Sequence, residues 1–391
     1  MDAILISLGL DPMPAKIISM VVICLIVLIA FVTIGGVLTV VERRIAGFMQ
    51  ARLGPNRVGP QGSLQWLADG IKLILKEDLI PDGADRTLFK IAPYFCLIGV
   101  FGTMVVFPWG SGIMVADLNV GLFYFISITA LVVFGVLMAG WSSNNKWSLL
   151  GGMRAAAQIV SYEIPVGMGL LVPILISGTL SMGGIMAVQG WAPWEWMVFQ
   201  SPFTVMSFCI FFIGSLAEAN RTPFDLPEAE SELVSGYCTE YTGFRYAVFF
   251  LSEWANLFVL GGLTTAVFLG GGNLPEFLAD YTALSVLVYM AKVSVVIFVV
   301  IWLRWTLPRF RIDQLMNLSW KYLLPGAFVA FLGQAIYMLI TQHVPAVQTI
   351  VAVMMFLVFV FILIRFFIRV RVNMREQQVP VNSPASDVPL I

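Results

Sequence analysis

The chain has 391 residues, of which 59% are hydrophobic and only 12% charged, against about 25% charged in a soluble domain. The net charge is −1, so there is no basic excess that would favour nucleic acid as a partner. This composition excludes an ordinary soluble enzyme and makes a lipid bilayer the expected solvent.

Uncharged apolar runs long enough to cross about 30 Å of hydrocarbon predict nine transmembrane helices, near 17–41, 91–108, 119–141, 155–177, 203–219, 246–270, 282–303, 323–341 and 347–368. Period-two alternation is absent, so the expected fold is all-α, a polytopic integral membrane protein forming one transmembrane domain over 1–372. A polar tail, 373–391, is expected to be disordered. The first span is too long for a signal-peptide core and lacks a basic flank and a small-residue cleavage site, so no cleaved leader is expected.

After the first span, the stretch Gln61 to Asp78 places Leu64, Leu67, Ala68, Ile71, Ile74 and Leu75 at helical spacing, opposite Gln65, Asp69, Lys72 and Lys76. That pattern predicts an amphipathic helix at the membrane surface. Its polar stripe either faces water, or turns Asp69 and Lys72 toward a cavity or a docked partner. The fourth span carries Glu163 within SYEIPVG, where Pro165 cannot donate to the Ser161 carbonyl and so loosens the helix beside the carboxylate. Glu218 ends the fifth span, Glu253 lies in the sixth and Lys292 is central in the seventh. A charge at that depth costs a few kcal/mol even on lenient insertion scales. These four residues are either structural ion pairs or the lining of a hydrated proton path, and their placement on four spans favours the path.

Between the fifth and sixth spans runs LAEANRTPFDLPEAESELVSGY, with Asp225, Glu228, Glu230 and Glu232 following Glu218 and a single cation, Arg221. Pro223 and Pro227 break any helix there and predict a loop able to move. So many close carboxylates either bind basic surfaces of partners or hold protons whose occupancy depends on one another.

The basic residues sort by connection. All of the 22 Lys and Arg except Lys16 and Lys292 fall on alternate connections or the C-terminal tail. The positive-inside rule makes that face cytoplasmic, with the N-terminus outside and the C-terminus inside. Cys24, Cys96 and Cys209 lie in spans and Cys238 in a loop, with no disulfide framework or metal-ligand spacing. The only histidine, His343, reads as a turn residue. No metal, nucleotide or dinucleotide motif is present, so any electron chemistry belongs to partners and no catalytic residue is expected in this chain. Gly35–Gly36 and Gly151–Gly152 read as close helix packing or turns.

Four stretches, ERRIAGFMQARLGPNRVGPQGSLQWLADGIKLILKE (42–77), SYEIPVG (161–167), AEANRTPFDLPEAESELVSGY (217–237) and RWTLPRFRIDQLMNLSWK (304–321), closely resemble the H-subunit family of proton-pumping NADH:quinone oxidoreductase, respiratory complex I, which includes mitochondrial NADH dehydrogenase subunit 1. The resemblance covers residues 17 to about 342. The family core has eight helices, so the span at 347–368 is an addition. The resemblance implies a place in the inner (cytoplasmic) membrane, under the peripheral arm, where partner subunits and this chain enclose a quinone tunnel. It implies quinone as substrate, FMN and iron–sulfur clusters on partners, and contacts with other membrane and peripheral-arm subunits and with lipid. Glu163, Glu218, Glu253, Lys292, Asp225, Glu228, Glu230 and Glu232 would belong to the proton path. Arg43, Arg44, Asp69, Lys72, Arg221 and Phe224 would frame the quinone site. Two rivals remain: the membrane anchor of a related energy-converting hydrogenase, which RLGPNRVGP (Arg52 to Pro60) disfavours, and a stand-alone cation/proton transporter, for which no inverted repeat is evident.

Overall fold

The computed structural model describes residues 11–227, 230–278, 280–342 and 345–377. No strand forms among them and the chain is built of helices. Glu228, His343 and the tail from 378 lie outside the described residues, as does the side chain of Glu230.

The elements follow in chain order. Helix α1 (Pro12–Met49) opens with prolines in its first turn, where a missing N–H leaves no bond unmade. Its 38 residues extend well beyond the hydrocarbon thickness at 1.5 Å per residue, so the end bearing Glu42, Arg43 and Arg44 reaches past the apolar layer. Helix α2 (Gln65–Leu75) is the amphipathic segment. Then come α3 (Arg86–Thr103), α4 (Gly121–Ser142), α5 (Lys146–Ser177), the short α6 (Met182–Ala187) and α7 (Pro202–Glu218). The chain continues with α8 (Glu230–Leu233), α9 (Gly243–Phe268) and α10 (Thr282–Thr306). The run Ile312–Thr341, here α11, has a π-helical stretch at Leu318–Leu323. The additional ninth span is α12 (Pro345–Gln377).

Seven of these helices are long and apolar enough to cross a membrane: α1, α4, α5, α9, α10, α11 and the Thr349–Phe366 part of α12. The other two expected crossings are helices at the expected positions, α3 with 18 residues and α7 with 17, each about 25 Å long at the α-helical rise. The most apolar window of α9 is 72% buried, against 11% for α1 and 6% for α12. Helix α9 is therefore central and the two terminal helices peripheral. Helix α12 continues five residues past the expected domain end at 372, to Gln377.

Three prolines within helices have a common solution. Pro93, Pro165 and Pro173 each leave the carbonyl four residues earlier without its helical donor. Each carbonyl instead receives a hydroxyl from another segment: Tyr241 donates to Phe89 O at 3.2 Å, Ser319 to Ser161 O at 2.6 Å and Ser207 to Gly169 O at 2.6 Å. Away from water an unmet carbonyl is expensive, so these three bonds fix which helices lie beside the prolines. Burial pushes the Tyr241 hydroxyl well above the usual phenol range, which keeps it protonated as a donor.

The glycine pairs do pack helices closely. A Cβ on Gly35 would meet Leu251 at 2.7 Å and one on Gly36 would meet Trp66 at 2.6 Å. On α5, a Cβ at Gly151 would come within 2.6 Å of the Gly236 backbone, and Gly152 lies against Gly140 of α4. Small residues thus let α1 approach α9 and α2, and α5 approach α4 and the acidic connection.

Candidate functional site

Charges that the sequence scatters over some 260 positions meet at one end of the bundle. Glu42 of α1 is 4% exposed and Arg221, just after α7, is 2% exposed. The Arg221 guanidinium lies 3.7 Å from Glu42 and 3.5 Å from Glu253 of α9, and stacks 4.2 Å from the Trp254 ring. Arg304, in the last turn of α10, donates to the other Glu42 oxygen at 2.5 Å. Two carboxylates and two guanidinia thus balance inside the protein, which is the condition under which buried charges persist.

The chain turns sharply to reach this cluster. Helix α7 ends at Glu218, and Asn220 takes a left-handed backbone (φ 50°), a conformation asparagine tolerates. Arg221 N then bonds back to Leu216 O at 3.3 Å. The following residues are not loose, contrary to the expectation drawn from Pro223 and Pro227. Ala219, Phe224 and Leu226 are buried. Gln158 of α5, itself 1% exposed, donates to Ala217 O and Phe224 O, both at 2.7 Å, and reaches Asn220 Oδ1 at 3.1 Å. Phe310 N donates to Pro223 O at 3.1 Å, and the rings of Phe224, Tyr162 and Phe310 lie in contact. Prolines stop the helix here, and packing then holds residues 219–226.

Two acids of that connection have cations from distant segments. Asp225, buried, lies 3.4 Å from Arg309, and Glu232, exposed, lies 2.6 Å from Arg154. Arg221, the cation nearest them in sequence, is therefore not their counter-ion; it turns inward to Glu42 and Glu253. Its burial places it behind the protein surface rather than on it.

Glu163 and Glu218 line a second feature. With Thr129, Ser215, Asn256 and apolar residues of α4, α5, α7 and α9 they line a narrow, partly open cavity of about 30 Å³, room for a water or two. Four helices contribute, and the polar side chains among the lining residues are the two carboxylates, two hydroxyls and one amide. Water in such a cavity would have several polar side chains within one lining to hydrogen-bond, which is what a proton-carrying chain needs.

Two sequence-predicted site groups lie elsewhere. Lys292 does not join the carboxylates. Its ammonium donates to Leu269 O at 2.7 Å and Gly271 O at 3.0 Å and sits 4.4 Å from the Trp196 ring. Leu269 caps the end of α9, about 24 Å along the axis from Glu253 at the helical rise, and Gly271 follows it, so Lys292 sits at the negative end of a helix dipole. On the other side, Asp69 of α2 turns toward α1. It pairs with Arg43 at 2.6 Å and Lys72 at 3.8 Å and accepts from Gln65 at 3.0 Å. Arg44 donates to the backbone carbonyl of Gln61. The apolar stripe Leu67, Ile71, Ile74 and Leu75 is exposed, as a helix lying in an interface requires.

Glu42, Arg304, Arg309 and Gln158 are missing from the sequence-derived set. Charges at the ends of apolar runs are ordinary, and an isolated glutamine carries no signal; only the signs of Glu42 and Arg304 near span ends hinted at pairing. Among the described residues no three His, Cys, Asp or Glu gather as a metal site.

This architecture defines a class: a multi-pass all-α membrane protein that gathers its carboxylates and guanidinia inside the bundle. A profile of the family described as NADH dehydrogenase matches residues 20–335. The H subunit of NADH-quinone oxidoreductase from Anaeromyxobacter dehalogenans is 50% identical over 356 residues, 86% of each chain. Its counterpart from Chlorobium luteolum is 50% identical over 310 residues, 76% of this chain and 83% of its own. The counterpart from Bacillus cytotoxicus is 49% identical over 307 residues, 78% of this chain and 89% of its own. The chain belongs to the NADH dehydrogenase family, with the H subunits of NADH-quinone oxidoreductase.

Proposed function

We propose that this chain is the membrane component of complex I that walls the quinone-access chamber and begins the carboxylate path by which quinone chemistry drives proton translocation. The observation that carries this reading is the narrow cavity that Glu163 and Glu218 share, contributed by different helices and lined by hydroxyl and amide groups. The Glu42–Arg221–Glu253–Arg304 cluster adds support, since it connects the buried start of the acidic connection to α1, α9 and α10. In this account Asp225, Glu228, Glu230 and Glu232 lie toward the chamber, Glu253 and Arg221 form the charged step behind it, and Glu218 and Glu163 continue the path. Arg43, Arg44, Asp69, Lys72 and Phe224 belong to the chamber's frame. Lys292, held at the far end of α9, has a capping role instead.

Quinone is the substrate; FMN and iron–sulfur clusters sit on partner subunits, and the peripheral arm docks on the basic face. That face is cytoplasmic and the N-terminus lies outside the inner membrane, by the positive-inside rule. The test is Glu218→Gln in the assembled complex, which removes a titratable group with little change in shape. NADH oxidation by ferricyanide should persist, because it needs only the partners' cofactors, while quinone reduction should fall at least tenfold. Unchanged quinone reduction in an assembled variant would remove Glu218 from the path.

A further inference from the structure

The arginines at the end of α12 form no part of the sites above. Arg365, Arg369 and Arg371 are exposed, and among the described residues none of them forms an ion pair. Their position on the helix is set by which residues touch the body. Ala352 is buried, Phe356 packs on Trp194 and Phe199, Phe359 on Phe199, and Phe366 on Trp302 of α10 at 5.8 Å. At 100° per residue these four fall in an arc of about 80°. Arg365 lies about 140° from the centre of that arc and faces away from the protein, and Arg369 and Arg371 lie about 100° to either side of it, off the packed face.

Depth is set by the neighbouring helix. Arg365 lies in the last turn of the apolar window Thr349–Phe366, and Arg369 and Arg371 follow within about 9 Å along the axis. The Phe366–Trp302 contact puts the last turn of α10 at the same level, where Trp305 is 41% exposed. Tryptophan at that level marks a membrane–water interface. A guanidinium there meets phosphate oxygens in a bidentate geometry that an ammonium does not match.

We propose that the arginine-bearing end of α12, with Trp305 of α10 beside it, is a binding surface for anionic phospholipid headgroups. The fit is one of charge and depth: three exposed guanidinia off the packed face, without an ion pair among the described residues, beside the interfacial tryptophan end of α10. It is independent of the proton-path reading, since none of these residues belongs to it.

The test uses the assembled complex in nanodiscs of phosphatidylcholine containing a minor fraction of photoactivatable phosphatidylglycerol. Labelling of the peptide spanning residues 365–377 should be strong. Each arginine near a membrane surface strengthens anionic-lipid binding about fivefold, so Arg369→Gln should weaken labelling about fivefold and Arg365→Gln/Arg369→Gln/Arg371→Gln about a hundredfold. The corresponding triple lysine variant keeps the charge and should retain most of the labelling, which separates lost binding from lost folding. If the triple glutamine variant does not assemble, the single variants decide. Equal labelling by photoactivatable phosphatidylcholine, unchanged labelling in Arg369→Gln, or a cross-link from position 368 to a protein subunit instead of lipid would overturn the proposal.

Discussion

Arg221 is 2% exposed with two carboxylates and an indole around it, so removing its charge leaves Glu42 and Glu253 opposed only by Arg304. Arg221→Gln is expected to destabilise the protein by about 3–5 kcal/mol, as breaking a buried ion pair does. Complex recovered on a native gel should drop sharply; recovery equal to wild type would show that the cluster is not structural. Arg154→Gln is the contrast. Its partner Glu232 is exposed and Arg154 is partly so, and pairs open to solvent contribute at most about 1 kcal/mol, so recovery should stay near wild type. At this scale the sequence was only partly legible. Glu163, Glu218 and Glu253 stood out because a charge in an apolar run is conspicuous. Glu42 and Arg304 did not, because at a span end a charge is unremarkable until its partner, 262 positions away, is known. Lys292 stood out for the same reason as the acids, yet its partners are backbone carbonyls, which leave no trace in sequence.

Helices meet here through a few backbone-level contacts, and these can be tested one at a time. Ser319→Ala removes the donor that replaces the bond Pro165 cannot make, leaving the Ser161 carbonyl unmet at a cost of about 1–3 kcal/mol. The melting temperature of the purified complex should fall. Ser319→Thr keeps the hydroxyl and should lose less; equal loss in both would mean that packing, not the bond, matters. Gly151→Ala puts a methyl 2.6 Å from the Gly236 backbone, and such overpacking costs about 1–3 kcal/mol. Gly70→Ala on α2 meets nothing within 4 Å and should gain helix propensity of about 0.5–1 kcal/mol. Thermal denaturation of both variants should therefore shift in opposite directions. The spans, the amphipathic helix and the glycine contacts were readable because each follows from local periodicity or residue size. The buried course of residues 219–226 was not, because it depends on Gln158, Tyr162 and Phe310 from other segments.

The whole molecule has a well-buried centre at α9 and lightly covered helices at both ends of the chain. Because only 6% of the apolar window of α12 is buried, truncation after Gln342 should leave assembly and quinone reduction largely intact. Loss of the complex on truncation would assign that helix a structural role. Sidedness has its own test: cysteines placed in 110–117 or 183–199 should react with an impermeant thiol reagent from outside, and cysteines in 55–60 should not. The reversed pattern would contradict the orientation. The central claim is that Glu163 and Glu218 relay protons driven by quinone chemistry, and the direct measurement is protons translocated per electron by Glu163→Gln and Glu218→Gln complexes in sealed vesicles. Proton translocation should collapse together with quinone reduction in both variants while ferricyanide reduction persists. An assembled variant that reduces quinone and translocates protons at the wild-type ratio would contradict the account.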